Sequence, residues 1–559
     1  MPDTDFYPYE LRLVDTACGA GYFACCPAND PSEADLMARL ETCPMDSFLH
    51  QALLRRVVSM ETDHILHYFN RGGSAVRSVC AEALLASSRR DTLPALSDPD
   101  MLAELADCSP LIHLRAESLP DREVHREWIR FIAPNLLNHR FTPASKAPPV
   151  PEPILRQADT TRCFTLTDLP ALPDTVPESI LSPEDGAREA LFRLEKTGRL
   201  CGTEMRHEAS LSPIALVRDW QLSLRTSMGR HHFSVTGTQR SYGKGLSLDQ
   251  ARITTVMEVV ERLSAFASFE RGKATGYTAS HQLIRASCAD LIASGAAVLD
   301  PNQIPLEVPY TGTALHWVKG TAAVGGQTIH VPAQMVFLFC NLDEPDLFSG
   351  LSSTGLAAGW IPEQAKLAAL LEVIERDADA VTPFHPAACF KLASDDPEVG
   401  PFLTDYRNRG IDLFFQDCTT EFGIPCFKCF VMGADGVVAK GAGAHLNSRN
   451  ALISALTETP YPYPGGPCSI PAPPVIPYRR MASFPDAGTG SYAGDLAVIE
   501  QVLIQNNRTP VYVDLTRQDL DIPVFKAIVP GLELMADFDT FTRISPRLYR
   551  NYRSLFQGT

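Results

Sequence analysis

A mixed α/β architecture is predicted for this chain. A mostly helical unit spans residues 1–140, a proline-rich linker covers 141–189, and a large domain of repeated strand–helix units fills 190–559. Three observations carry that prediction. Apolar residues recur at helical spacing through the first 140 residues, proline clusters follow, and one strand–turn–helix pattern then returns at intervals of about 100 residues. A chain of 559 residues is long for one domain, and 45% apolar with 21% charged residues is the balance of a protein with a large core.

Taken in order, YELRLVD reads as a strand. SEADLMARLETC, DSFLHQALLRRVVSMETDHILHYF and AVRSVCAEALLASSRR then set apolar residues on helical faces. None of these segments gathers catalytic residue types, so packing or partner binding is expected of this unit. PASKAPPVPEP and TDLPALPDTVPES supply the linker, because closely spaced prolines stop both helix and sheet. From about residue 190 strands and long helices alternate to the end.

Composition excludes several functions. A formal net charge of −17 leaves no basic surface for broad nucleic-acid binding. No run of about 18 apolar residues predicts a membrane span. The acidic start, MPDTDFYPYE, has no apolar segment of the kind a signal peptide needs, so a cytoplasmic protein is expected. Fifteen scattered cysteines fit reduced thiols there. Within PCFKCFVMGAD, strand alternation would send Cys426 and Cys429 to opposite faces, as buried structural thiols rather than a metal or redox pair.

The repeat is the informative feature. Gln250-Ala251 precedes Glu258-Val-Val-Glu261-Arg262, and at identical spacing Gln364-Ala365 precedes Glu372-Val-Ile-Glu375-Arg376. A partial third copy sets Ala451 seven positions before Glu458. Residues three apart on a helix share a side, so each Glu-x-x-Glu pairs two carboxylates. Ile253, Val256, Met257, Val260 and Leu263 mark the apolar face of the first helix, and Leu367, Leu370, Leu371 and Ile374 that of the second. The glutamates border those faces, where like charges repel unless a cation lies between them. Carboxylates together with phosphate oxygens are the usual ligands of Mg2+.

Glycine-containing turns precede both helices: Ser241-Tyr-Gly243-Lys244-Gly245-Leu-Ser247 and Ser352-Ser353-Thr354-Gly355-Leu-Ala-Ala-Gly359. Such turns let backbone N–H groups approach an anion, and Lys244 adds a point charge for phosphate. Neither a Walker A loop nor a GxGxxG strand–helix turn is present. His231, His232 and His385 are titratable by type and are read as structural.

In these segments, and in VYVDLTRQDLDIPVFKAIVPGLE, the chain resembles the YcaO family over about residues 200–545, in the family's own order. The resemblance implies a domain of stacked sheets and helices that binds ATP with Mg2+ and phosphorylates a backbone amide oxygen of a peptide or protein. A nucleophile then attacks: a Cys, Ser or Thr side chain gives an azoline, a sulfide source a thioamide. By resemblance, Glu258, Glu261, Glu372 and Glu375 hold magnesium, Glu458 joins them, Arg376 and Lys244 contact phosphate, and Ser353 with Thr354 line the nucleotide pocket. Homodimers are common in the family, and a sulfur-delivery protein is an expected partner.

Four positions depart from the family pattern. Thr354 stands where Asn is usual, Ser454 where Arg is usual and Gln364 where Glu is usual, and TPYPYPGG follows Glu458 where the helix usually continues. Arg449 is the nearby candidate to replace the missing Arg. The chain ends NYRSLFQGT rather than in a PxPxP tail. Thioamide formation, or an accessory role in protein sulfur modification such as the family's ribosomal S12 methylthiotransferase branch, is therefore favoured over azoline formation. The competing reading is a degenerate peptide-binding scaffold that assists a partner enzyme.

Overall fold

The computed structural model describes residues 6–14, 22–140, 146–149, 163–170, 175–350, 352–534 and 539–555. Most of PASKAPPVPEP and the chain end after residue 555 lie outside them.

Among the described residues, alternating apolar residues build three sheets, and helices pack upon them, as the predicted mixed α/β class requires. Strand β1 (Tyr7–Val14) pairs antiparallel with β2 (Tyr22–Pro27). It also runs parallel to β4 (His231–Gly245), with Tyr9 opposite Val235. β4 pairs along its whole length with β3 (Ile214–Met228), from Met228 opposite His231 to Ile214 opposite Gly245. These strands belong to an eight-stranded sheet. A six-stranded sheet includes β5 (Leu356–Ala358), β8 (Val511–Asp514) and β9 (Val524–Ile528). A five-stranded sheet includes β6 (Cys426–Met432) and β7 (Val438–Ala444).

The three repeats are strand–turn–helix units: β4 leads into α1 (Leu248–Ala265), β5 into α2 (Pro362–Val381) and β7 into α3 (Ser448–Glu458). Ala251, Ala365 and Ala451 are each wholly buried where the helix meets its strand. Opposite them the strand needs glycine. A Cβ on Gly243 would stand 2.2 Å from Thr255 N, and one on Gly443 would stand 2.3 Å from Ala451 O. In the same way, a Cβ on Gly245 would stand 2.7 Å from Ala251 N and one on Gly359 2.6 Å from Ala365 N. The repeated glutamine has a local task as well: Gln250 Oε1 accepts from Leu246 N at 3.1 Å and Gln364 Oε1 from Trp360 N at 2.7 Å. Each closes the turn before its helix.

The N-terminal helices share their core with the large domain. Leu49, Val79 and Leu105 lie in one continuous apolar cluster with Phe233, Val260 and Phe337. A buried polar bridge crosses the same junction: Asp46 accepts from Tyr9 Oη at 2.6 Å and from Asn341 Nδ2 at 2.8 Å. Inside the stretch read as linker, a helix already begins at Pro183 and runs to Lys196, capped by Ser182. The C-terminal helix Pro546–Ser554 packs against Trp128 and the end of α2, and Arg547 pairs with Asp377. Cys426 and Cys429 occupy opposite faces of β6, one in the core with Val373, the other in the core with Phe415. Burial holds both thiols above their ordinary pKa.

Gly443→Ala tests the close approach. A methyl at that position forces β7 and α3 apart, and overpacking of this kind costs about 2 kcal/mol. Urea denaturation should give a midpoint well below wild type, whereas an unchanged midpoint would show that the strand and helix do not touch there.

Candidate functional site

The turns and helices of the three units bring their charged residues to one place. Glu258, Glu372 and Glu458 are equivalent positions, seven residues after the buried alanines. Glu258 Oε2 accepts from Tyr242 N at 3.2 Å, and Glu372 Oε2 accepts from Gly355 N at 3.0 Å. Each carboxylate thus reaches back to the strand end of its own unit. Glu458 instead crosses to the first unit, where Lys244 Nζ lies 2.5 Å from its Oε2. Gly355 has φ +81, and a Cβ there would meet Ala527 O at 2.4 Å, so the turn into α2 admits glycine alone.

One helical turn on, Glu261 and Glu375 complete the group. Glu261 faces Glu372, and Glu375 faces both Glu372 and Glu458. Burial, followed by this mutual repulsion, pushes Glu261 well above the usual carboxylate range and Glu375 up to about 8. Burial likewise raises Glu258 and Glu372, opposed by neighbouring arginines. Arg262 lies 3.6 Å from Glu258 and 3.5 Å from Glu261, while Arg376 is 4.0 Å from Glu372 and exposed.

Lys526 on β9 was not among the expected site residues. It is buried, donates to Thr354 O at 2.6 Å and faces Glu372 and Glu261; burial lowers it to about 8. The readable signal was a lone lysine in the otherwise apolar run IPVFKAIVPGL. Thr354 is buried beneath the turn, its hydroxyl bound by Ser352 at 2.8 Å, while Ser353 lines an adjoining cleft. Arg449 does not replace an arginine at Ser454. Its guanidinium is engaged by Asp396 at 2.6 Å and Glu398 at 2.5 Å. His231 is buried with Nδ1 3.1 Å from Asn341 O, a structural contact.

Among the described residues no three His, Cys, Asp or Glu side chains converge tightly enough to enclose a metal by themselves. The donor set suits a cation of another kind. Mg2+ takes one or two carboxylates and fills its remaining positions with water and phosphate oxygens, and four crowded glutamates with raised pKa values favour added positive charge.

The adjoining cleft has a volume of about 610 Å3. Glu258, Arg262, Ser352 and Ser353 form part of its wall, and Phe23, Phe48 and Gln51 of the N-terminal unit form another part.

Comparison with known proteins agrees with this geometry. Residues 242–460, which contain all three repeat helices, match the family model described as YcaO cyclodehydratase, ATP- and Mg2+-binding. Over residues 242–460 the chain is similar to that family. An uncharacterized protein of Methanothermobacter thermautotrophicus is 27% identical over 327 residues, 53% of this chain and 82% of that protein. An uncharacterized protein from the tfuA 3' region of Rhizobium leguminosarum bv. trifolii is 32% identical over 232 residues, 39% of this chain and 53% of that protein. A heterocyclase solved with substrate and cofactor shares the fold, with a TM-score of 0.50 at 20% identity over 63% of this chain and 53% of that one. The chain thus spans about half the length of the last two. The family match begins at Tyr242, inside β4, so the N-terminal unit and most of the paired length of β3 and β4 lie outside it.

The crowded carboxylates make stability depend on pH. Glu375 titrates near 8 when folded and near 4.5 when unfolded, so the folded chain binds the extra proton between those values. Wild-type stability therefore falls as pH rises across that window. Glu375→Gln removes this contribution. Its advantage over wild type in Mg2+-free denaturation should grow from about pH 5 to about pH 8, by up to about 1.4 kcal/mol per pH unit. An advantage that shrinks with pH would contradict the placement of Glu375.

Proposed function

We propose that this chain activates a backbone amide of a peptide or protein with ATP and Mg2+, and that sulfur is the atom introduced. The observation that carries the reading is the convergence of Glu258, Glu261, Glu372 and Glu375 from two copies of one helix, half-buried and mutually repelling. Carboxylates crowded in this way are stabilised by a divalent cation.

In this reading the four glutamates hold the magnesium, and Glu458 orients Lys244 toward phosphate oxygens. Arg376, exposed at the helix surface, supplies a second cation to the same group. Lys526 anchors the Thr354–Gly355 turn through the Thr354 carbonyl, keeping the Gly355 backbone next to Glu372. ATP bound there supplies the phosphoryl group that makes an amide oxygen a leaving group, and a sulfide donor then replaces that oxygen. Positioning and charge neutralisation supply most of such catalysis, which suits a site built from carboxylates and cations on rigid helices. Sulfur reaches the site from a partner protein in this proposal, and the chain works as a homodimer, as its resemblance implies.

One observation favours a second reading. Arg262 and Arg376 already neutralise part of the cluster within the chain, as they would in a scaffold that has lost its nucleotide. Titration calorimetry separates the two. Wild type should bind ATP with Mg2+ in the micromolar range, about −8 kcal/mol, and Glu258→Gln and Glu375→Gln should each lose it. Wild type that takes up no nucleotide would leave the scaffold reading.

A further inference from the structure

The cleft beside the glutamates carries a charge that the amide-activating chemistry does not use. Phe23, Phe48, Phe266, Phe339 and Phe348 line it, and so does Asp346. The other charged lining groups are matched. Arg240 pairs with Asp219 at 2.7 Å, and Arg262 lies between Glu258 and Glu261. Asp346 uses its backbone, donating its N–H to Pro110 O at 2.8 Å and accepting Arg115 Nη2 at its own carbonyl at 2.6 Å. No described residue donates to its side-chain oxygens. Burial raises its pKa to about 7, opposed by the charge of Arg115 and reinforced by Glu344, so the carboxylate has a cation in its neighbourhood but no side-chain hydrogen bond.

The rings are held rather than loosely gathered. Phe339 stacks on Phe266 with centroids 5.6 Å apart and meets Phe48 at 6.3 Å. Phe339 itself sits at φ +51, a left-handed conformation that is strained for an aromatic residue. The adjoining chain fixes it there: Asn341, two residues on, is locked to Asp46 and Ser47. Strain maintained by surrounding contacts at the wall of a cleft marks a place where shape matters more than local stability.

We propose that this cleft receives a lysine or arginine side chain of the peptide substrate, with the cation on Asp346 and its stem against the phenylalanine rings. Aromatic faces attract cations, and a part-buried carboxylate supplies the counter-charge that removal from water requires. A neutral apolar side chain would leave the Asp346 carboxylate without a hydrogen-bond donor, and an acidic one would be repelled. The site rests on the amide-activation reading only in calling the bound peptide a substrate. The charges that act on Asp346 are those of Arg115, Glu344, His113 and Asp46, whereas those that act on Glu258 are Arg262, Glu458 and Lys244. The basic side chain and the reacting amide therefore occupy different parts of one cleft, and the N-terminal unit, which provides Phe23 and Phe48, selects the peptide.

A positional-scanning nonapeptide array, with one position fixed and the others mixed, tests this with the 559-residue chain and its Asp346→Asn variant. On wild type, arginine or lysine at the fixed position should enrich binding about tenfold over glutamine and norleucine, roughly the worth of a desolvated cation–π and ion-pair contact. On Asp346→Asn the preference should fall to near unity, and Asp346→Leu should behave alike. Asp346→Asn should keep wild-type Mg2+–ATP binding and a melting temperature no lower than wild type, because it removes a part-buried charge that accepts no side-chain hydrogen bond. A wild type indifferent to basic residues, a preference that survives both variants, or a variant with a lowered melting temperature would each overturn the assignment. Failure of wild type to bind nucleotide would sink amide activation and leave the basic-residue preference standing.

Discussion

In the first and third repeats the helix crosses its strand at a distance that admits only glycine. A methyl on Gly243 or Gly443 would stand about 2.2–2.3 Å from helix backbone atoms, and Ala251 and Ala451 are wholly buried at the contact. In the second repeat Ala357 and Ala365 take those places, with Gly359 beside them. Contact this close fixes the helix against its strand in rotation as well as distance. Seven residues later the helix has turned nearly two full turns, and the glutamate returns to the side of the strand end. That is why Glu258 meets Tyr242 N and Glu372 meets Gly355 N. The charged cluster is thus a consequence of backbone packing, and side chains in the turns only refine it.

Gathering the carboxylates has an electrostatic cost that the fold offsets locally. Arg262 sits between two of them, Lys244 binds Glu458, and Lys526 rises from β9 beneath the turn. Partial neutralisation of this kind keeps the folded chain stable while leaving Glu375 protonated near neutral pH. A site in that state favours an added cation over water, because each proton or arginine balances only part of the charge. The same logic separates this cluster from Asp379, which Lys428 at 2.7 Å and Lys440 at 2.9 Å balance fully and hold well below the usual carboxylate range. Asp379 lies on α2 one helical turn beyond Glu375, a member of the cluster. Only the glutamate cluster is left with its charge partly unbalanced.

The N-terminal unit is part of the same molecule in a physical sense. β1 extends the eight-stranded sheet through its parallel pairing with β4, its helices share the apolar core, and Phe23 and Phe48 wall the cleft beside Glu258. It therefore influences the cleft in two ways, by fixing Phe339 through Asn341 and by adding aromatic surface.

Much of the architecture was legible in the sequence because it depends on local rules. Helical spacing in the first 140 residues, the identical interval from Gln-Ala to Glu-x-x-Glu, and the alternation around Cys426 and Cys429 all follow from periodicity within a single element. The repeat even named the glutamates, since a helix places residues three apart on one side whatever surrounds it. What the sequence could not decide were contacts between distant segments. Lys526 looked like one residue of an apolar strand, Thr354 like a pocket residue and Arg449 like a substitute for a missing cation. Their roles depend on which chain passes within hydrogen-bond reach, and that is set by sheet order. Asp346 and Phe23 lie more than 300 residues apart and share a cleft for the same reason. Sequence by itself determined the elements and the charges they carry; tertiary structure decided which of those charges meet, because Coulomb and hydrogen-bond energies depend on distances that no single element contains.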